Sequence, residues 1–109
     1  MKKLYHVTLM SNLESILKEG LIPKIGERSI EVGEEEKAVY LFPTIEDMEC
    51  ALGQWLGDWY NDEYGEEIPL ASLEISVPDY FPIEDGEVEY ENICREVIPP
   101  EYIRFLKEE

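Results

Sequence analysis

The sequence predicts a small α+β domain, and three observations carry that prediction. Strand and helix patterns follow in the order strand, helix, loop, strand, helix, strands, so helices come early and strands accumulate late, unlike the regular alternation of a doubly wound sheet. A hydrophobic fraction of 44% with 11% aromatic residues is that of a chain able to collapse, not of a disordered one. The length of 109 residues suits one core, which gives a single domain over residues 1–109.

Leu4-Tyr5-His6-Val7-Thr8 is rich in strand formers and opens the chain as a β-strand. Ser11-Asn12-Leu13-Glu14 supplies the S-x-x-E pattern of a capping box. Leu13, Ile16 and Leu17 then fall on one helical face, Lys18 lies in the last turn, and Gly20 suits the left-handed conformation that ends a helix. From Pro23 to Lys37, with Gly26, Gly33 and the run Glu34-Glu35-Glu36, no periodicity is sustained and the segment reads as a loop. Ala38-Val39-Tyr40-Leu41-Phe42 is a compact apolar run suited to a buried strand, closed by Pro43.

Thr44 is the next helix cap, with Glu46, Asp47 and Glu49 where the helix dipole favours acids. Met48, Ala51, Leu52, Trp55, Leu56 and Trp59 recur at helical spacing, which predicts one long amphipathic helix with both tryptophans in its core stripe. Asn61 to Glu67 reads as an acidic turn. Leu73, Ile75 and Val77 alternate with Glu74 and Ser76 as in a half-buried strand ending at Pro78, and a loop follows through Gly86. Glu91-Asn92-Ile93-Cys94-Arg95 and Tyr102-Ile103-Arg104-Phe105-Leu106 read as two strands separated by Pro99-Pro100, neither of which can donate to a ladder.

With 26 acidic and 9 basic residues the formal charge is −17, which repels phosphate backbones and anionic lipid. Direct nucleic-acid and membrane binding are therefore disfavoured, and the acidity serves solubility or, alternatively, a basic protein partner or nucleic-acid mimicry. No apolar run approaches the roughly 20 residues needed to cross a bilayer, and Met1-Lys2-Lys3 leads into a strand pattern, so the expected location is the cytoplasm. Cys50 and Cys94 form no CxxC, and His6 is the single histidine, so no metal site is expected. Both cysteines read as small buried residues, with a disulfide between them left open.

P-loop, GxSxG, GxGxxG and HExxH signatures are missing. What remains is His6 on the first strand, Arg28-Ser29 in the loop, Tyr40 on the second strand and Glu91 at the head of a late one. Tyr5-His6-Val7-Thr8, the segment Asn12-Leu13-Glu14-Ser15-Ile16-Leu17-Lys18-Glu19-Gly20-Leu21, and Val39-Tyr40-Leu41-Phe42 together resemble the opening of the ADP-ribosyltransferase-like fold, as found in DNA-modifying toxins, RNA 2′-phosphotransferases and small bacterial and phage domains. The tail from Glu91 through Pro99-Pro100-Glu101-Tyr102-Ile103 is similar to the end of those small domains.

The resemblance implies a split antiparallel sheet with two main helices, gripping NAD as substrate and using no metal. It implies His6, Tyr40 and Glu91 as the catalytic positions, with His6, Thr8, Arg28, Ser29 and Tyr40 around NAD. His6 would hold the adenosine ribose, Tyr40 would border the nicotinamide, Glu91 would hold the nicotinamide ribose and orient the acceptor, and Arg28 with Ser29 would pair with the pyrophosphate. Cleaving the nicotinamide-ribose bond builds an oxocarbenium-like centre that needs a fixed ribose and a nearby negative charge. Each residue also has a structural reading: His6 as a satisfied core histidine, Tyr40 as packing, Arg28 as the counter-charge to Glu27 and Glu31, and Glu91 as solvated surface. Glu89 replaces Glu91 if the strand register is shifted by two. The acidity disfavours the RNA 2′-phosphotransferase branch. The expected function is an NAD-binding mono-ADP-ribosyltransferase or NAD glycohydrolase; the alternative is a non-catalytic acidic domain of the same fold that binds and blocks a basic protein partner, as an inhibitor or phage counter-defence factor would.

Overall fold

A computed structural model of the chain describes residues 1–23, 38–65, 68–86 and 91–109. The first strand pattern becomes β1 (Lys2–Leu9), and helix α1 (Leu13–Glu19) follows through a 3₁₀ turn, Met10–Asn12. The capping box expected at Ser11 does not form. The 3₁₀ turn runs straight into α1 with no side-chain cap, and Asn12 Nδ2 instead donates to Thr8 Oγ1 at 3.2 Å. Gly20 ends α1 as expected, at φ 89°, where a side chain would meet the Ile98 carbonyl.

Strand β2 (Val39–Leu41) lies within the predicted apolar run, and Thr44 caps α2 (Ile45–Leu52) by accepting from the Asp47 amide at 3.0 Å. The expected long helix is in fact two, because α2 stops and α3 (Trp55–Tyr64) starts after a corner at Gly53-Gln54. Gln54 there adopts φ −130° and ψ −114°, outside the helical region. Gly57 permits the corner, since a Cβ at this position would collide with the Leu52 carbonyl. Helix α3 also runs through Asn61 to Tyr64, residues read from the sequence as a turn.

The corner changes what is buried. Met48, Ala51 and Leu56 pack against Tyr5, Val7, Phe42 and Leu70, while Trp55 is 37% exposed and Trp59 is half-buried. The tryptophans are therefore not the core stripe that helical spacing predicted; a continuous helix would have kept them in line with Met48, and the bend rotates them outward.

Strand β3 (Leu70–Val77) is the centre of one antiparallel sheet, ordered β1-β3-β6, with β6 spanning Ile103–Glu108. The expected half-buried pattern holds at Glu74 and Ser76, but Leu70 and Ser72 are buried as well, because α2 and α3 cover that end of the face. The buried Ser72 hydroxyl donates to the Lys107 carbonyl at 3.2 Å, beside a register shift between β3 and β6. On the opposite face Leu4, Leu73, Ile75 and Val77 pack on α1 residues and on Val39, Leu41 and Cys94 of the second sheet.

The second antiparallel sheet is ordered β2-β5-β4, with β4 at Ile83–Asp85 and β5 at Asn92–Cys94. Strand β4 lies in a segment read from the sequence as loop; three residues are too few to show a period. The sheets meet through paired backbone hydrogen bonds between Tyr5 and Phe42, at 2.9 and 2.7 Å. A second bridge joins Leu21 and Ile98. The fold is thus α+β, with three helices and two antiparallel sheets among the described residues. No helix there is long and apolar enough to cross a membrane.

Candidate functional site at the seam between the sheets

The Tyr5 and Phe42 bridge sets where the predicted site residues stand. His6 follows Tyr5 on β1, and its Nδ1 lies 2.8 Å from the Tyr40 carbonyl oxygen on β2. A carbonyl only accepts, so Nδ1 carries the proton and donates; Nε2 is then an acceptor in the neutral ring and a donor in the imidazolium. His6 thus spans the seam, half-buried, and joins one sheet to the other.

Tyr40 pairs with Ile93, and Glu91 stands two residues before Ile93. Residues directly opposite in an antiparallel pair share a face, and alternation repeats every second residue, so Tyr40 and Glu91 project to the same face of the β2-β5-β4 sheet. Both are half-buried. The carbonyl of Glu91 accepts from the Gly86 amide at 2.9 Å, closing the β4–β5 hairpin. Its side chain lies over Gly86, where a Cβ would come within 2.8 Å of Oε1. Glu91 is therefore held at the head of β5 as the sequence placed it, although β5 itself begins at Asn92.

His6 and Thr8 have the opposite parity on β1 from Tyr5 and Val7, so they belong to the other face of that strand. Thr8 is buried and its hydroxyl accepts from Asn12. The structure thus brings His6 to the Tyr40 main chain but does not gather the three side chains: His6 and Thr8 lie on one face, and Tyr40 and Glu91, in line with Phe42 and hence with Tyr5, lie on the other. The link between the groups runs through the Tyr40 main chain. Arg28, Ser29 and the fallback Glu89 lie outside the described residues.

Two neighbouring residues were read only as parts of a strand. Asn92 is buried, with Nδ2 donating to the Glu84 carbonyl and to Asp85 Oδ1, each at 3.4 Å, and so ties the hairpin that carries Glu91. Its signal was an amide in register with Cys94 on the inward side of a strand. Arg95 Nε lies 2.9 Å from Glu84 Oε2, and Glu84 pairs with Ile93, so this arginine reaches the face shared by Tyr40 and Glu91. A cation in a tail crowded with acids was the signal.

Neither cysteine belongs to the site. Both are free thiols, and Cys50 is exposed, contrary to the expectation of burial. Its position on α2 turns outward while Met48 and Ala51 turn inward. Cys94 is buried, and burial pushes its thiol pKa up, so it makes a poor nucleophile. Among the described residues no three His, Cys, Asp or Glu side chains gather closely enough to hold a metal ion. Comparison of the chain with protein-family models, curated proteins and solved structures finds no match.

Proposed function

We propose that this chain has an ADP-ribosyltransferase-like fold and binds NAD across the seam between its sheets, cleaving the nicotinamide-ribose bond and passing ADP-ribose to a protein, a small molecule or water. The observation that carries the proposal is the His6 Nδ1 to Tyr40 carbonyl bond of 2.8 Å, which links the first two signature strands at the split, with Glu91 on the same sheet face as Tyr40.

In this reading His6 and Thr8 take the adenosine side, with Nε2 of His6 toward a ribose hydroxyl, while Tyr40 borders the nicotinamide. Glu91 accepts from the nicotinamide ribose and faces the positive charge that develops at C1′. The bond from C1′ to the nicotinamide nitrogen breaks, its electron pair leaves with neutral nicotinamide, and the acceptor's lone pair forms the new bond at C1′ as its proton passes to base. An anionic carboxylate aimed at that centre stabilises the transition state more than the ground state, which is the requirement for catalysis. Arg95, whose Nε is held by Glu84 on that face, is a further guanidinium for the pyrophosphate, and Arg28 with Ser29 keeps the pyrophosphate role that the resemblance implies.

The test is incubation of the purified protein with NAD, following binding by calorimetry and nicotinamide release by chromatography, beside His6→Ala and Glu91→Ala variants of native circular dichroism. Glu91→Ala is expected to keep binding and to lower release by roughly 10²–10³-fold, the scale of losing one transition-state contact. His6→Ala is expected to weaken binding. Absence of both binding and release in the parent protein rejects the proposal.

A further inference from the structure

The corner at Gly53-Gln54 divides the chain into two halves, neither of which has a core of its own. Residues 1–53 hold β1, α1, β2 and α2, and residues 54–109 hold α3 and β3 to β6. Strand β1 pairs with β3 and β2 with β5, so each sheet crosses the division. The cores cross it too: Leu4 and Leu41 belong to one cluster with Leu73 and Ile75, and Met48 to another with Leu56 and Leu70. Each half therefore needs the complementary half of a chain, but nothing in the pairing requires that it be the same chain. The corner itself is slight. Gly53 stays near the helical region at φ −77° and ψ −7°, and Gln54 leaves it. The helical ladder runs up to the corner, with the Gly53 amide on the Glu49 carbonyl at 3.0 Å, and restarts at once, with the Asp58 amide on the Gln54 carbonyl at 3.1 Å. Met48, Ala51, Leu52, Trp55, Leu56 and Trp59 keep the spacing of one uninterrupted helix across it. Rotation about Gln54 turns α2 and α3 into one helix about 30 Å long and adds ladder bonds from residues 54–57 to residues 50–53.

We propose that this corner is a hinge for domain swapping with a second copy of the chain. Straightened, the first half of one copy packs on the second half of the other, and a two-fold dimer rebuilds each ladder and both cores twice over. Only the contacts at the corner change, so the exchange costs little. Gly57 is the residue that admits the bent form, because a Cβ there meets the Leu52 carbonyl. A straight helix has no such collision at any position, since its side chains point outward from the axis. The seam is rebuilt as well, with His6 and Tyr40 from one copy and Glu91 from the other. The dimer stands whether or not NAD is cleaved. Charge sets its limit: residues 45–64 carry Glu46, Asp47, Glu49, Asp58, Asp62 and Glu63 and no lysine or arginine. Two straightened helices therefore repel each other in dilute salt, and less so as salt screens them.

The experiment refolds the full chain from urea at micromolar and at millimolar concentration, and measures the products by size-exclusion chromatography with light scattering. A reducing buffer excludes a disulfide through the exposed Cys50. The parent is expected to be mainly monomer, with a dimer that grows with concentration and with salt. Gly57→Ala penalises the bent form alone, by roughly fivefold or more per copy, and each dimer relieves two corners, so the dimer constant is expected to rise at least about 25-fold. Gly53→Ala is the control. A Cβ there makes ordinary contacts in the bent form and the residue is helical in both forms, so the constant is expected to change by less than about twofold. A swapped dimer comes apart only by unfolding, so on dilution it is expected to dissociate no faster than the monomer unfolds in the same buffer. Faster dissociation would mean a dimer held by surface contact and would overturn the proposal. A Gly57→Ala variant that folds and stays monomeric at millimolar concentration would overturn it too. If Gly57→Ala does not fold, the parent decides: a slowly dissociating dimer after refolding at millimolar concentration in high salt supports the hinge, and monomer throughout rejects it.

Discussion

The two sheets reach their stability by different routes. Strands β1, β3 and β6 run for 8, 8 and 6 residues, whereas β2, β4 and β5 have 3 residues each. The long sheet buries one whole face, with Leu73, Ile75 and Val77 at 0% exposure, and the part of the other where Tyr5, Val7 and Leu70 lie under the helices. The short sheet buries Val39, Leu41, Asn92 and Cys94 on one side and presents Tyr40, Ile93 and Glu84 on the other. So few residues per strand do not sustain a sheet alone. It is held by the Tyr5–Phe42 and Leu21–Ile98 bridges and by packing on its partner. Tyr40 and Glu91 therefore sit on the part of the molecule whose order is borrowed, and His6 stands where the loan is made.

If that contrast is right, truncation at the centre of the long sheet has the largest effect. Leu73→Ala removes a fully buried side chain and is expected to cost about 2–5 kcal/mol, read as a fall in the urea midpoint at constant slope. Ile93→Ala, at a half-buried position on the short sheet, is expected to cost about 1 kcal/mol. Equal losses would mean that the sheets share one core without rank. Native-state hydrogen exchange offers the same comparison without mutation: β3 amides exchange only through global unfolding, and β5 amides through smaller openings.

The helical layer gives the next contrast. Gly57→Ala drives a methyl group into the Leu52 carbonyl and is expected to cost about 1–3 kcal/mol. At Gly53 an added Cβ finds only ordinary contacts, 3.6 Å from the Glu49 carbonyl, and φ is −77°. Gly53→Ala is therefore expected to be neutral or to stabilise by about 0.4–1 kcal/mol through the unfolded chain. Thermal melts of the pair distinguish a sharp corner from a helix merely interrupted.

Within the short sheet, Asn92→Ala leaves the hairpin strands paired but removes the amide from the Glu84 carbonyl and the Asp85 carboxylate. A loss of about 1 kcal/mol is expected. If Asn92 also fixes Glu91, the same variant lowers nicotinamide release with NAD binding unchanged.

These differences explain what the sequence made legible. β1 and the second half of β3 were readable because their burial is set by strand period and composition. Thr44 was readable because a cap is a local hydrogen bond. The corner at Gly53-Gln54 was not, since Met48, Leu56 and Trp59 keep helical spacing on both sides of it and only the close approach of Gly57 to Leu52 reveals the bend. Strand β4 was hidden because three residues are ordered by their partner strand, not by their own preference. At the site, the strand patterns placed His6 on the first strand and Tyr40 on the second, yet their contact runs from ring nitrogen to main-chain oxygen. No side-chain pattern encodes that geometry. Asn92 was passed over because a polar residue inside a short strand looks the same in sequence whether its side chain meets water or a carbonyl.

The smallest expected effect separates the two cysteines. Cys50 is exposed on α2 and is expected to react with maleimide in the folded protein, whereas Cys94, on the buried face of the short sheet, reacts only when that sheet opens. Burial raises the Cys94 pKa above 9.0, and the thiol donates to the Glu96 carbonyl at 3.3 Å, a bond that only the protonated form can make. As pH rises past that ordinary value the unfolded chain loses the thiol proton first, so the contribution of Cys94 is complete below the unfolded pKa and is lost as pH rises through the folded one. Denaturant midpoints of the parent and of Cys94→Ala are expected to differ by a constant at neutral pH and to converge in alkali. A Cys94 thiol labelled as fast as Cys50 at neutral pH would instead show that the short sheet opens freely on its own, making the seam a mobile cleft and the long sheet the sole rigid body.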